Sequence, residues 1–209
     1  FSRAFELMVD TQSLDVLALL SRASCIIAEG EVMQLAATGH LTTTLQGYME
    51  IISAKTAALF AAAAASGPAL MRASRANRDA LYQYGHHLGI AFQIADDILD
   101  YTGEVGKMGK ETGNDFTEGK VTAPVILALE HAGATERAFW EKTLVAHDIS
   151  ENDFTRAIEY LHSHDAFSRA HHLAESHAQM AISALAPLPD SPIKTILADL
   201  AVFAARREK

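Results

Sequence analysis

The chain has 209 residues, with 17 Lys and Arg against 26 Asp and Glu for a formal charge of −9, and 49% of its residues are apolar. That apolar share excludes a disordered chain and suffices for a sizeable core, while the acidity argues against a general nucleic-acid binder, which needs a dense basic surface. The single cysteine, Cys25, excludes an internal disulfide and a four-cysteine zinc site.

In chain order, sparse punctuation and the dominance of Ala and Leu over β-branched alternation predict helices near 2–10, 14–38, 41–66, 75–101, 121–132, 135–147, 151–163, 166–186 and 191–206. Gly67-Pro68 and Gly133 read as helix stops, and Ser150 with Asp153 resembles a capping box. The expectation is an all-α, single-domain bundle over residues 1–209. Helix 41–66 contains Ala57-Ala-Leu-Phe60 followed by five alanines; apolar on most sides, it is expected at the bundle centre. The longest uninterrupted apolar run, Ala57 to Ala65, is too short to cross a bilayer. No signal peptide is visible, so the expected compartment is cytoplasmic. Cys25, beside Ile26 and Ile27, reads as a small buried hydrophobe. The long gap from Thr102 to Lys120 holds five glycines with Lys107, Lys110 and Lys120, and a loop of that length is often functional.

The chemistry concentrates at the end of helix 75–101. At about 100° per residue, Gln93, Asp96, Asp97 and Asp100 fall within an arc of roughly 100°. Carboxylates so close repel one another, and the macrodipole disfavours them near a helix C-terminus. A compensating cation is expected, and Mg²⁺ suits, because it takes carboxylate oxygens together with water and phosphate oxygens. Taken alone, such a cluster reads equally as a solvated acidic patch. Lys55, however, lies in a mostly apolar helix where it needs an anionic partner. Carboxylates for a metal and lysines for an anion are the equipment for a metal-bound polyphosphate. A nucleotide-binding loop is excluded by spacing: Glu104 stands where the first Gly would be, and Glu111 follows Lys110. The histidines, among them His86, His87, His171 and His177, read as surface or core residues. Tyr48, Phe60, Phe92 and Tyr101 read mostly as core. Arg206 and Arg207 either complement the last helix dipole or approach substrate.

The stretch Gln93-Ile-Ala-Asp-Asp-Ile-Leu-Asp-Tyr-Thr-Gly103, then Gly109-Lys-Glu-Thr-Gly-Asn-Asp-Phe-Thr-Glu-Gly-Lys-Val-Thr-Ala-Pro124, resembles the trans-type polyprenyl diphosphate synthases. Ala28-Glu-Gly-Glu-Val-Met-Gln-Leu35 and Lys55-Thr-Ala-Ala-Leu-Phe60 resemble further segments of that family in the right order. The resemblance implies an isoprenoid-synthase-type helical bundle. It also implies a Mg²⁺-dependent enzyme that elongates an allylic diphosphate with isopentenyl diphosphate. Asp96, Asp97 and Asp100 match the second aspartate-rich, metal-binding motif, and Lys55 and Lys110 match lysines on the allylic diphosphate. Thr56, Gln93 and Lys120 match other substrate contacts, whereas Lys107 matches none. A long-chain product of the quinone side-chain type, a homodimer, and peripheral membrane contact through the lipid product are further expectations. A non-catalytic subunit and a terpene cyclase are the alternatives; the intact Asp and Lys set and the loop lysines favour elongation. No first aspartate-rich motif or following Arg-Arg pair is found, and Phe1-Ser-Arg-Ala-Phe-Glu-Leu resembles the helix that follows them. The chain is therefore expected to be an N-terminally shortened form, inactive as a 209-residue polypeptide.

Overall fold

The computed structural model describes residues 2–103 and 112–207. The first half runs through α1 (Ser2–Asp10), α2 (Leu14–Ala37), α3 (Leu45–Ile52), a π-helical turn (Ser53–Ala57), α4 (Ala58–Leu70) and α5 (Arg75–Thr102). The second half comprises α6 (Asn114–Thr117), α7 (Ala123–Leu129), α8 (Ala134–Trp140), a second π-helical turn (Glu141–Val145), α9 (Asp153–Ser163), α10 (Ala166–Ala184) and α11 (Pro192–Arg206). No strand occurs among the described residues, so the all-α expectation stands. Hydroxyl caps set four helix starts: Ser13, Thr44, Ser74 and Ser191 each accept a backbone N–H three residues on, from Val16, Gly47, Asn77 and Lys194.

Several boundaries differ from the sequence expectation for local reasons. The Thr44 cap delays the third helix to Leu45. The same helical rod continues past Gly67-Pro68 to Leu70. Pro68 lacks the N–H for its own helical bond, and the helix ends two residues later, the Pro68 carbonyl accepting the Ala73 N–H at 2.9 Å. Gly133 starts α8 rather than only stopping α7. Within the expected loop, residues 114–117 form the short α6. Cys25 is exposed rather than buried.

The centre of the bundle is α5, not the alanine-rich rod: α5 packs against α4, α10, α11 and α7. The rod lies between α2 and α5, burying Ala57, Ala58, Ala61, Ala62, Ala65 and Ala69 while Leu59 and Leu70 stay exposed. Its 26 residues, Leu45–Leu70, are long and apolar enough to cross a membrane by length and composition, which a count of uninterrupted apolar residues does not reveal. The alanines buried against α2 and α5 are the pattern of a core helix. Two close approaches lock this layer. A Cβ on Gly30 of α2 would lie 2.5 Å from the Lys55 nitrogen, and one on Gly89 of α5 would lie 2.6 Å from the Ala57 Cα. Only glycine lets both helices touch the π-helical turn. At the other end, Phe116, Phe139, Trp140 and Phe154 form an aromatic core beneath the wholly buried α7.

Candidate active site

The last turns of α5 direct their polar side chains to three different partners. Asp97 is 3% exposed and accepts hydrogen bonds on both oxygens: the Tyr48 hydroxyl donates to Oδ2 at 2.6 Å, and Gln93 Nε2 donates to Oδ1 at 2.7 Å. Gln93 in turn accepts from the Thr56 hydroxyl at 2.7 Å. Asp100 is half-buried; its carboxylate accepts the backbone N–H groups of Asn114 and Asp115 at 3.2 and 2.9 Å, capping α6 from outside. Asp96 is the most open of the three, with its Oδ1 2.6 Å from the Arg207 guanidinium, which also lies 4.0 Å above the Phe92 ring. The common polar face expected from the helical wheel is therefore divided: Asp97 turns inward, and Asp96 and Asp100 flank it at the surface.

Burial pushes the Asp97 carboxyl up to about 8, with the nearby Asp115 and Asp96 adding to the rise and the Tyr48 and Gln93 hydrogen bonds opposing it. Burial likewise raises Asp100, while its two amide hydrogen bonds work against that shift. Asp115, which the sequence reading did not single out, thus joins the acidic end through the short α6.

Lys55 and Thr56 lie on the first π-helical turn, a local underwinding that often marks functional positions. Lys55 reaches Glu31 of α2 at 3.4 Å, a loose contact with the glutamate half-exposed. Lys120 is more firmly held, 2.9 Å from Asp115 and 2.7 Å from Glu118. Burial opposes its charge, yet those two carboxylates outweigh burial and raise its pKa. Thus Lys55, Thr56, Gln93, Asp96, Asp97 and Asp100 come together around the C-terminal half of α5, with Lys120 engaged on the adjoining loop. Lys110, like Lys107, lies outside the described residues.

Among the described residues, no group of three or more His, Cys, Asp or Glu side chains is gathered tightly enough to hold a metal ion alone. The donor chemistry nevertheless fits Mg²⁺, which prefers hard carboxylate oxygens and takes only one or two from protein before completing its shell with water or phosphate. Asp96, half-exposed, and Asp100, one turn on, are such donors at the surface.

Sequence reasoning missed Tyr48 as a polar partner, because a lone tyrosine in an apolar helix reads as core. The only signal was its position on the helix that also carries Lys55 and Thr56. It also left Arg207 undecided, and the structure pairs it with Asp96, while Arg206 pairs with Glu175 at 2.9 Å. The aligned histidines have their own partners: His87 Nδ1 lies 3.1 Å from His177 Nδ1 across α5 and α10.

Known proteins give this arrangement a context. The polyprenyl synthetase family model matches residues 1–161. Octaprenyl diphosphate synthase of Escherichia coli is 36% identical over 209 residues, covering the whole chain and 64% of that protein. The crystal structure of a polyprenyl synthase from Roseobacter denitrificans is 46% identical, with a TM-score of 0.90 over 99% of this chain and 68% of that one. A polyprenyl synthase from Caulobacter crescentus, complexed with calcium and isoprenyl diphosphate, is 44% identical with a TM-score of 0.97, covering all of this chain and 64% of that one. The chain thus spans less than two thirds of the length of the curated relatives it matches.

Proposed function

The chain belongs to the polyprenyl synthetase family, and from that membership we propose that the protein elongates an allylic diphosphate with isopentenyl diphosphate to a polyprenyl diphosphate. The allylic carbon–oxygen bond ionises, the alkene of isopentenyl diphosphate attacks the cation, and a proton leaves. The leaving group is inorganic diphosphate, so the main task is to stabilise negative charge as it develops. Mg²⁺ on Asp96 and Asp100, with Asp97 behind them, would neutralise much of that charge. Lys55 and Lys110 bind the allylic diphosphate, with Thr56, Gln93 and Lys120 as further polar contacts. The apolar rod beside them helps to keep water from the cation.

One observation carries the reading: the Thr56–Gln93–Asp97 hydrogen-bond chain joins the lysine-bearing turn to the aspartate-bearing helix. The calcium and isoprenyl diphosphate named with the Caulobacter crescentus relative support a divalent cation and a diphosphate at such a site. The octaprenyl synthase relative supports a long-chain product of the kind used for quinone side chains. The proposal includes a homodimer in the cytoplasm, with peripheral membrane contact through the lipid product. Leu14, Val32 and Leu35, apolar and exposed along α2, support a surface that another chain covers.

The test is incorporation of labelled isopentenyl diphosphate into extractable lipid by the whole protein with an allylic primer. Incorporation should require Mg²⁺, vanish with a chelator, and fall at least about 100-fold in Asp96→Ala. No incorporation, or incorporation indifferent to Asp96→Ala, overturns the proposal.

A further inference from the structure

We propose that Tyr48 is a positioning residue for the metal-bearing face, holding Asp97 inward and so coupling that face to the Lys55–Thr56 turn. The inference rests on the reading of Asp96 and Asp100 as metal donors. Its basis is a hydrogen-bond relay of four side chains from three pieces of structure. Tyr48, on α3, donates to Asp97 Oδ2; Gln93, one turn before Asp97 on α5, donates to Oδ1; Thr56, on the π-helical turn, donates to the Gln93 oxygen. The two ends of the relay, Tyr48 and Thr56, lie on the same rod, so the rod grips α5 at two points through one carboxylate and one amide.

The directions of these bonds leave little freedom. The Thr56 hydroxyl fixes which end of the Gln93 amide faces Asp97. Gln93 and Tyr48 then occupy one oxygen each of a carboxylate that no cation among the described residues contacts. Tyr48 is 3% exposed, so water does not replace its hydroxyl if it is lost. Without that donor, Oδ2 is an unsatisfied buried acceptor. Asp97 must then turn toward another partner, drawing Gln93 away from Thr56. The face shown by Asp96 and Asp100 and the setting of Lys55 change together. A residue serving only to pack the core has no such double effect.

The experiment uses the whole protein and its Tyr48→Phe variant, which keeps the ring and removes the hydroxyl. Mn²⁺ binding, read by electron paramagnetic resonance without substrate, should weaken by up to about tenfold, the effect of losing one hydrogen bond. The half-saturating Mg²⁺ concentration and the KM for the allylic diphosphate should rise together, while the KM for isopentenyl diphosphate stays unchanged. A second preparation carries 3-fluorotyrosine at position 48, which retains the hydroxyl and the fold; its ¹⁹F resonance should shift when Mg²⁺ is added. A variant that binds Mn²⁺ like the wild type and loses only thermal stability overturns the inference, as does a ¹⁹F line unmoved by a metal that demonstrably binds. A wild-type protein that neither binds Mn²⁺ nor elongates overturns instead the underlying reading of the site.

Discussion

Two π-helical turns carry a lysine each, and the two lysines are used in opposite ways. On Ser53–Ala57, Lys55 reaches only Glu31 at 3.4 Å, and the buried carboxylate nearby, Asp97, is held by neutral donors. On Glu141–Val145, Lys142 lies 2.9 Å from Asp153, whose carboxylate also accepts the Ser150 backbone N–H at 2.8 Å. Asp153 begins α9, where the helix dipole favours an anion, whereas Asp97 lies near the end of α5, where it does not. The second turn closes its charges on one another and acts as a staple. The first pairs its lysine only loosely, with the half-exposed Glu31, and packs against the helix that carries Asp96 and Asp100. That difference marks the first turn as the one built to receive charge from elsewhere.

The widest separation between the two turns should appear on replacing their lysines. Lys55→Ala is expected to lower elongation by at least about 100-fold, because the role proposed for Lys55 is to hold the leaving diphosphate. Its effect on Tm should be small, since it breaks only a loose, partly exposed pair. Lys142→Ala should do the reverse, lowering Tm by a few degrees while leaving kcat and KM of the folded protein unchanged. Equal activity losses in steady-state assays of the two variants would remove the distinction.

A smaller effect tests whether the first turn depends on close backbone contact. Gly89→Ala puts a methyl group 2.6 Å from the Ala57 Cα, and backbone cannot yield as a side-chain tip does. A loss of about 1–3 kcal/mol in urea unfolding is expected, with a rise in the KM for the allylic diphosphate as the turn shifts. Gly133→Ala, at a position with nothing within 4 Å of a new Cβ, is the control and should leave the KM unchanged.

The two carboxylates also respond to pH with opposite signs. Asp97 is raised to about 8 by burial, so between its unfolded value near 4 and about 8 the folded chain binds the extra proton. Its contribution to stability therefore falls as pH rises through that window. Asp153 is lowered to about 2, first by the Ser150 backbone hydrogen bond and then by Lys142. Its stabilisation is present above about pH 4 and is lost as pH falls toward 2. In metal-free buffer, the Tm of Asp97→Asn relative to wild type should rise from pH 5 to pH 8.5. The corresponding difference for Asp153→Asn should be flat over that range and shrink only below about pH 4. Parallel trends in calorimetry would contradict this assignment of the two environments.

How far the sequence revealed this depends on the range of the interaction concerned. The helix starts at Ser13, Ser74 and Ser191 lie within a residue of where the sequence placed them, whereas the Thr44 cap starts the third helix later than the expected residue 41; the clustering of Asp96, Asp97 and Asp100 follows from helical periodicity. Gln93, Thr56 and Lys55 were legible as polar residues in apolar surroundings. The inward turn of Asp97 was not, because it depends on Tyr48, which is 49 positions away. Nor could the helical wheel identify α5 as the centre: the alanine-rich rod is the more apolar segment, but small side chains and two glycine contacts make it a spacer between larger helices. The fate of Lys120 was hidden for a similar reason, since α6, too short for periodicity to detect, brings Asp115 within 2.9 Å of it.

The smallest effect concerns Arg207, the cation that occupies Asp96 in the free chain. The contact is short, 2.6 Å, but Asp96 is 45% exposed, and the buried Arg207 Nε has no hydrogen-bond partner among the described residues. An exposed ion pair contributes about 0.2–1 kcal/mol, and the unpartnered nitrogen subtracts from it. Stacking on Phe92 at 4.0 Å keeps the guanidinium in place even when Asp96 turns away. On the proposed reading, Arg207 therefore competes weakly with a metal for one carboxylate. Arg207→Ala should lower the half-saturating Mg²⁺ concentration by roughly 2–5-fold, the equivalent of a lost exposed pair. If Arg207 instead contacts substrate, the same variant raises a substrate KM and leaves the Mg²⁺ dependence where it was. Metal titrations at saturating substrate separate the two, and a higher Mg²⁺ requirement in Arg207→Ala would show that the pair supports the metal-bearing face rather than competing for it.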